Sequence, residues 1–282
     1  MRCGSSFGAT TFAICLVLSM ASAKAQDTSK YPAFEGGWTR GSSVGTWDPT
    51  KPPGLGQQAP LKPEYRAKHE ANIAKTKAGV EFDPKATCGP VGMPRVMAMY
   101  EPMEIIIKPD TTWMLLESMS PLRRIHTDGR DWPKDPYPSW VGYSIGKWLD
   151  TTGNGRFDTL EIETRHIAKG PRHYEGTGIP FAEDNATIVK ERLYLDKSNP
   201  GRLVNEITTI DNALTRPWTV SRFYRRDNEP ESEYACTEDN RWVVVGGRMY
   251  MTDADGYFMP ITKDQPAPDL KYFQKHFRQP AK

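Results

Sequence analysis

Three side chains suited to proton handling lie almost next to one another, His126, Asp128 and Arg130, with Trp132 just beyond and Tyr143 further on. An imidazole changes charge near neutral pH, and a neighbouring carboxylate can hold its tautomer. A phenol can donate a proton, and a guanidinium can hold an anionic group. His126 and Asp128 are therefore the candidate proton-handling pair, and Tyr143 the candidate donor. Arg124, Arg130, Trp132, Trp148, Arg165, Arg216 and Trp218 are candidates for holding a ligand by charge or by stacking. The same residues also read as a hydrogen-bonded turn, with Asp128 capping Gly129 and Arg130 and with His126 exposed at a strand end. The chain has no glycine-rich phosphate loop after a strand, no G-x-S-x-G and no H-E-x-x-H.

A second constellation is Asp150 to Glu161, DTTGNGRFDTLE. Asp150, Asn154, Asp158 and Glu161, with Thr152 at the third ligand position and Gly155 at the bend, match the spacing of a calcium-binding loop. Such loops sit between helices, whereas the flanks here alternate like strands. A plain hairpin turn is the preferred reading, with no cofactor and Ca²⁺ as the alternative. His166 and His173, on either side of Gly170-Pro171, have no recognised metal spacing.

The elements that must position these groups are strands. Ser144, Gly146 and Trp148 alternate with Tyr143, Ile145 and Lys147, and after DTTGNG the period resumes, with Leu160, Ile162 and Thr164 alternating with Thr159, Glu161 and Glu163. Period two on both sides of Asn154-Gly155 predicts a β-hairpin. Further strands are expected over 96–100, 103–108, 112–117, 122–127, 187–195, 202–210 and 218–224. Residues 242–251 are expected to close the meander, with Gly246-Gly247 as a bend. Residues 168–183, rich in glycine and proline, read as a lid or rim. The fold class is mainly β: an antiparallel meander closing into a lipocalin-like barrel, with a β-sandwich as runner-up. His126, Asp128 and Arg130 are expected at the barrel mouth.

Residues 1–25 read as a cleaved signal peptide: Arg2, an apolar stretch from Ala9 to Met20, and Ala23-Lys24-Ala25 before Gln26. The apolar stretch is well short of the ~20 residues that span a bilayer. A periplasmic or secreted protein with no membrane attachment after cleavage follows. Residues 26–87 are an extended arm, anchored by Phe34, Trp38 and Trp47, followed by one short helix over 61–77. Residues 88–282 form the barrel domain. The 37 basic and 35 acidic residues are interspersed, so no nucleic-acid partner is indicated. Cleavage leaves two cysteines, Cys88 and Cys236. In an oxidising compartment these are expected to form a disulfide, with two buried thiols as the alternative.

Asp128-Gly129-Arg130, then Tyr143-Ser144-Ile145-Gly146-Lys147-Trp148, then Asp158-Thr159-Leu160, then Thr215-Arg216-Pro217-Trp218 occur in order. In this the chain resembles a family of exported, mostly uncharacterised bacterial proteins with a DGR…SIGxW…DTL…TRPW pattern. The resemblance implies a single β-rich, barrel-like periplasmic domain and carries no catalytic residue with it. The functional expectation is a periplasmic or secreted barrel that binds a small hydrophobic or aromatic molecule. Alternatives are cofactor-independent lyase, isomerase, dehydratase or hydrolase chemistry at the same residues, and an envelope protein acting through protein partners.

Overall fold

The computed structural model describes residues 28–41, 59–77, 88–99, 101–117, 122–168, 179–228, 242–245, 248–252 and 258–260. The period-two runs form strands and close on themselves. In chain order they are β1 (Gly36–Arg40), β2 (Met103–Ile107), β3 (Thr111–Leu116), β4 (Leu122–His126), β5 (Tyr143–Leu149), β6 (Thr159–Arg165), β7 (Ile188–Asp196), β8 (Asn199–Ile210) and β9 (Trp218–Arg226). Each pairs with the next, and β1 pairs with β9, giving a closed nine-stranded barrel. Closure leaves no edge strand to template further pairing.

The register puts one alternating set of side chains inside. Ser144, Gly146 and Trp148 lie opposite Thr164, Ile162 and Leu160. Leu160, Ile162 and Thr164 lie in turn opposite Leu193, Glu191 and Val189. Met103, Ile105, Ile107, Met114, Ile125, Leu203, Ile207 and Val220 complete the apolar core, all buried. The barrel is therefore filled by its own side chains.

Four expectations are corrected. The residues expected to form a strand at 96–100 instead include a 3₁₀ turn, Arg95–Ala98, whose four residues are all buried. Every position is buried, so no alternation is needed. The closing strand is β1, from the arm ahead of Cys88, so the barrel is not confined to 88–282. The residues expected to close it form β10 (Trp242–Val245) and β11 (Arg248–Thr252), which with β12 (Phe258–Pro260) make a separate three-stranded sheet. The meander is also not wholly antiparallel, since β4 and β5 are parallel. Parallel neighbours need a long return connection, and residues 127–142 supply it. Gly146 belongs to this junction: a Cβ there would lie 2.6 Å from Ile125 Cγ2.

The helix α1 (Pro63–Lys77) starts on Pro63, a residue suited to a first turn because it lacks an N–H. Its His69 is buried and its Tyr65 half-buried, so it docks on one edge instead of lying free on the surface. In the arm, Trp38 is fully buried and donates through Nε1 to the Phe34 carbonyl at 2.7 Å. Trp47, residues 1–27 and Cys236 fall outside the described residues. No helix among the described residues is long and apolar enough to cross a membrane.

Candidate functional site

The return connection between β4 and β5 gathers the candidate residues. It is pinned at several points. Thr127 N donates to Asp110 O at 2.8 Å, Met93 N to Trp140 O at 2.9 Å, and Ser139 N to His166 O at 3.1 Å. Gly142, where the connection meets β5, has φ +70, and a Cβ there would lie 2.6 Å from the Arg165 carbonyl oxygen. A side chain would be strained there on both counts.

Under this connection His126 stacks on Tyr143, with ring centroids 4.9 Å apart. Trp132 lies 6.1 Å from Tyr143 and 6.5 Å from His166. The Arg165 guanidinium sits over Trp132, 4.4 Å from the ring centre. Arg130 is paired with Asp128, Nη2 to Oδ2, at 2.6 Å. Six of the ten candidates thus converge: His126, Asp128, Arg130, Trp132, Tyr143 and Arg165. His166, which the sequence marks only as a possible rim residue, joins them. His126, Tyr143 and Arg165 face outward from the sheet, because Ile125 takes the inward place on β4, Ser144 that on β5 and Thr164 that on β6.

Four candidates do not converge. Arg124 lies 4.3 Å from the Trp113 ring centre on the outside of β3 and β4. Trp148 is inside the barrel, 5.2 Å from Tyr31 and 5.4 Å from Phe34. Arg216 is exposed and donates to the adjacent Pro217 carbonyl at 3.3 Å. Trp218 is buried in the core.

The electrostatics of the cluster are uneven. Burial, with Arg130 and Arg124 nearby, pushes the His126 imidazole below its ordinary pKa, and Asp128 and Asp110 only partly oppose this. The neutral form of His126 is therefore favoured. Its Nδ1 is buried with no hydrogen-bond partner, as is the neighbouring Thr127 Oγ1. Hydrogen bonds from the Arg130 side chain take Asp128 down to about 2. Hydrogen bonds to Asp128 and to Tyr143 raise the Arg130 pKa in turn. Asp128 is thus a fixed carboxylate that orients Arg130.

The cluster borders a groove of about 470 Å³ on the outside of β5 to β9. Its walls include Ile145, Lys147, Glu161, Glu163, Lys190, Arg192 and Glu206. Ile145 is the register partner of His126, and Glu163 accepts from Arg165 at 2.5 Å, so cluster and groove are contiguous. Glu163 also faces Lys190 at 3.4 Å, and Glu161 faces Arg192 at 3.8 Å.

The loop at 150–158 spends its carboxylates on itself. Asp150 accepts from the backbone N–H of Gly153 and Gly155 at 2.7 Å each and of Asn154 at 3.2 Å. Burial works against its ionisation, but these bonds outweigh it and hold its pKa below the usual range. Asp158 accepts from the Thr151 N–H and hydroxyl, and Asn154 Oδ1 from the Arg156 N–H. Glu161 lies on the outer face of β6 with Arg192. Among the described residues no group of three or more His, Cys, Asp or Glu is placed to hold a metal.

Strand parity could have found one feature that types alone missed. Arg123 and Glu191 lie inside the barrel, Nη1 to Oε1 at 3.0 Å, with a second bond between Nη2 and Oε2. Asn205 Nδ2 donates to the same Oε1 at 2.9 Å, and Arg123 Nη2 to Thr164 Oγ1 at 3.0 Å. A charge on the apolar side of an alternating strand is the signal, and Glu191 sits between Val189 and Leu193. Comparison with models of known protein families gives no match, and comparison with curated proteins gives none.

Proposed function

We propose that the protein is exported and binds a small aromatic or hydrophobic molecule at the β4–β5 connection, outside the barrel. The observation that carries this reading is the convergence of Trp132, Tyr143, His126, Arg130 and Arg165 beside the groove. The aromatic part of the ligand would lie on Trp132 and Tyr143, and its polar part would run along the groove. The filled core argues against cargo in the lumen, so the binding mode differs from that of a hollow lipocalin-like barrel. The leader-like residues 1–25 and the DGR…SIGxW…DTL…TRPW resemblance support export. In that compartment Cys88 and Cys236 would form a disulfide.

The test is thermal-shift and tryptophan-fluorescence titration of the exported chain with a panel of aromatic acids and terpenoids. Trp132→Ala should weaken binding about tenfold or more, the loss expected when an anchoring ring is removed. Binding unchanged in Trp132→Ala and in Tyr143→Ala would refute the location.

A second reading is favoured by the neutral, unpartnered Nδ1 of His126. In that reading His126 is the general base of a cofactor-independent reaction, Tyr143 the proton donor and Arg130 the anion holder. Turnover that survives His126→Ala would remove it.

A further inference from the structure

A second cavity opens where the arm meets the β5–β6 hairpin, beyond the opposite end of β5 from Tyr143. It measures about 350 Å³ and is lined by Tyr31, Pro32, Ala33, Glu35, Ile107, Arg156 and Arg226. That volume falls at the lower end of the range for small-molecule sites.

Its charge is unbalanced. Arg226 donates through Nη1 to the Glu35 carbonyl at 2.6 Å and through Nη2 to the Ala33 carbonyl, and it lies 4.0 Å from the centre of the Trp38 ring. These partners are main-chain oxygens and an indole face, none of them a carboxylate. Burial pulls its pKa down. Arg156 is exposed, and its guanidinium has no acidic partner among the described residues. Its loop is nonetheless fixed, because Asn154 Oδ1 accepts the Arg156 N–H at 2.9 Å and Phe157 N donates to Lys30 O at 2.7 Å. The single carboxylate among the described lining residues, Glu35, accepts the Ile107 N–H at 3.2 Å. Two guanidinium groups thus face one carboxylate, and the more buried guanidinium is held rigidly by the backbone.

The remaining wall is apolar. The Tyr31 ring packs against Trp148 and Phe157, at 5.2 and 5.4 Å between centroids, and Pro32 and Ala33 continue that surface. A positive site beside an aromatic and aliphatic wall is suited to an anion with an apolar body.

We propose that this cavity binds a small organic carboxylate, its anionic group held between Arg156 and Arg226 and its apolar part against Tyr31, Pro32 and Ala33. The site is separate from the groove beside Trp132 and stands whether or not that groove holds a ligand.

The experiment is isothermal titration of the full chain with benzoate, acetate and inorganic phosphate. Benzoate should bind saturably and more tightly than acetate or phosphate. Arg156→Gln, on an exposed side chain, should weaken it about tenfold by removing a charge-assisted bond. Glu35→Gln should tighten it severalfold by removing the opposing charge, and Trp132→Ala should leave it unchanged. A thermal melt of each variant confirms that the fold is kept. Absence of saturable binding at millimolar benzoate would overturn the proposal. So would affinity indifferent to both Arg156→Gln and Glu35→Gln, or benzoate binding lost in Trp132→Ala alone. Phosphate binding as tight as benzoate would overturn the part assigned to the apolar wall.

Discussion

The Arg123–Glu191 pair crosses the barrel interior with both side chains almost wholly buried, at 1% and 0% exposure. Desolvating two charges is costly, and breaking one such pair strands the other ion without water. Glu191→Gln keeps the shape but removes the charge. It also turns an amide donor towards an Arg123 or Asn205 donor that had faced an oxygen. The expected loss is ~3–5 kcal/mol, the range for a buried pair broken from one side. At ~2–4 °C per kcal/mol for a domain of this size, the melting temperature should fall by ~6–20 °C. The matched apolar replacement, Arg123→Met with Glu191→Leu, leaves no stranded charge. It should cost less than either single change, although Asn205 and Thr164 each lose a partner. Urea denaturation of the unmodified chain, Arg123→Met, Glu191→Leu and the double variant closes a double-mutant cycle. A Glu191→Gln loss under about 1 kcal/mol, or a double variant as damaged as the sum of the singles, would refute the coupling.

Three further outcomes follow from the site. The His126 imidazole has a lowered folded pKa, so the unfolded chain binds its proton first as pH falls. The stability contributed by keeping it neutral is present above the ordinary imidazole pKa and is lost as pH drops through that value towards the folded one. His69 acts with the same sign, so His126→Asn should flatten the melting temperature only in part between about pH 7 and 5; an unchanged pH profile would count against a buried neutral His126. Gly142→Ala should destabilise the protein by ~1–3 kcal/mol, since the new methyl meets a main-chain oxygen at a positive φ, and a neutral effect in urea melts would contradict the close approach. Ca²⁺ should leave the melting temperature unchanged, because the Asp150 oxygens already accept backbone N–H groups; a calcium-dependent rise that disappears in Asp150→Asn would reverse that reading.

Much of the barrel is legible in the sequence because one buried face imposes period two, as in Val189, Glu191, Leu193 against Lys190, Arg192. The exceptions are cases where local pattern carries little information. Gly36–Arg40 is short and opens with two glycines, so only its pairing with Met103–Ile105 and Tyr224–Arg226 makes it a strand. Val96–Ala98 is apolar throughout and buried with Arg95, and a run buried at every position has no period to read. The β4–β5 connection is irregular, and the parallel pairing it creates depends on distant contacts at Asp110, Met93 and His166. Within the site, His126, Asp128 and Arg130 were findable because three polar residues flank a turn. Trp148, Trp218, Arg124 and Arg216 lie apart from them, because residue type says nothing about which side of a sheet, or which loop, a group occupies. Glu191 was visible by parity alone, as an acid among inward-facing aliphatics.

The seam between β1 and β9 joins Trp38 to Arg226. A ribosome makes the first of these long before the last. Until the ninth strand is available, β1 lacks the neighbour that completes the ring, and its outer hydrogen-bonding edge stays open. Strand pairing across so much sequence makes folding slow and leaves such edges exposed to aggregation meanwhile. A truncation that stops short of Trp218 should therefore yield an aggregating chain, not a smaller barrel.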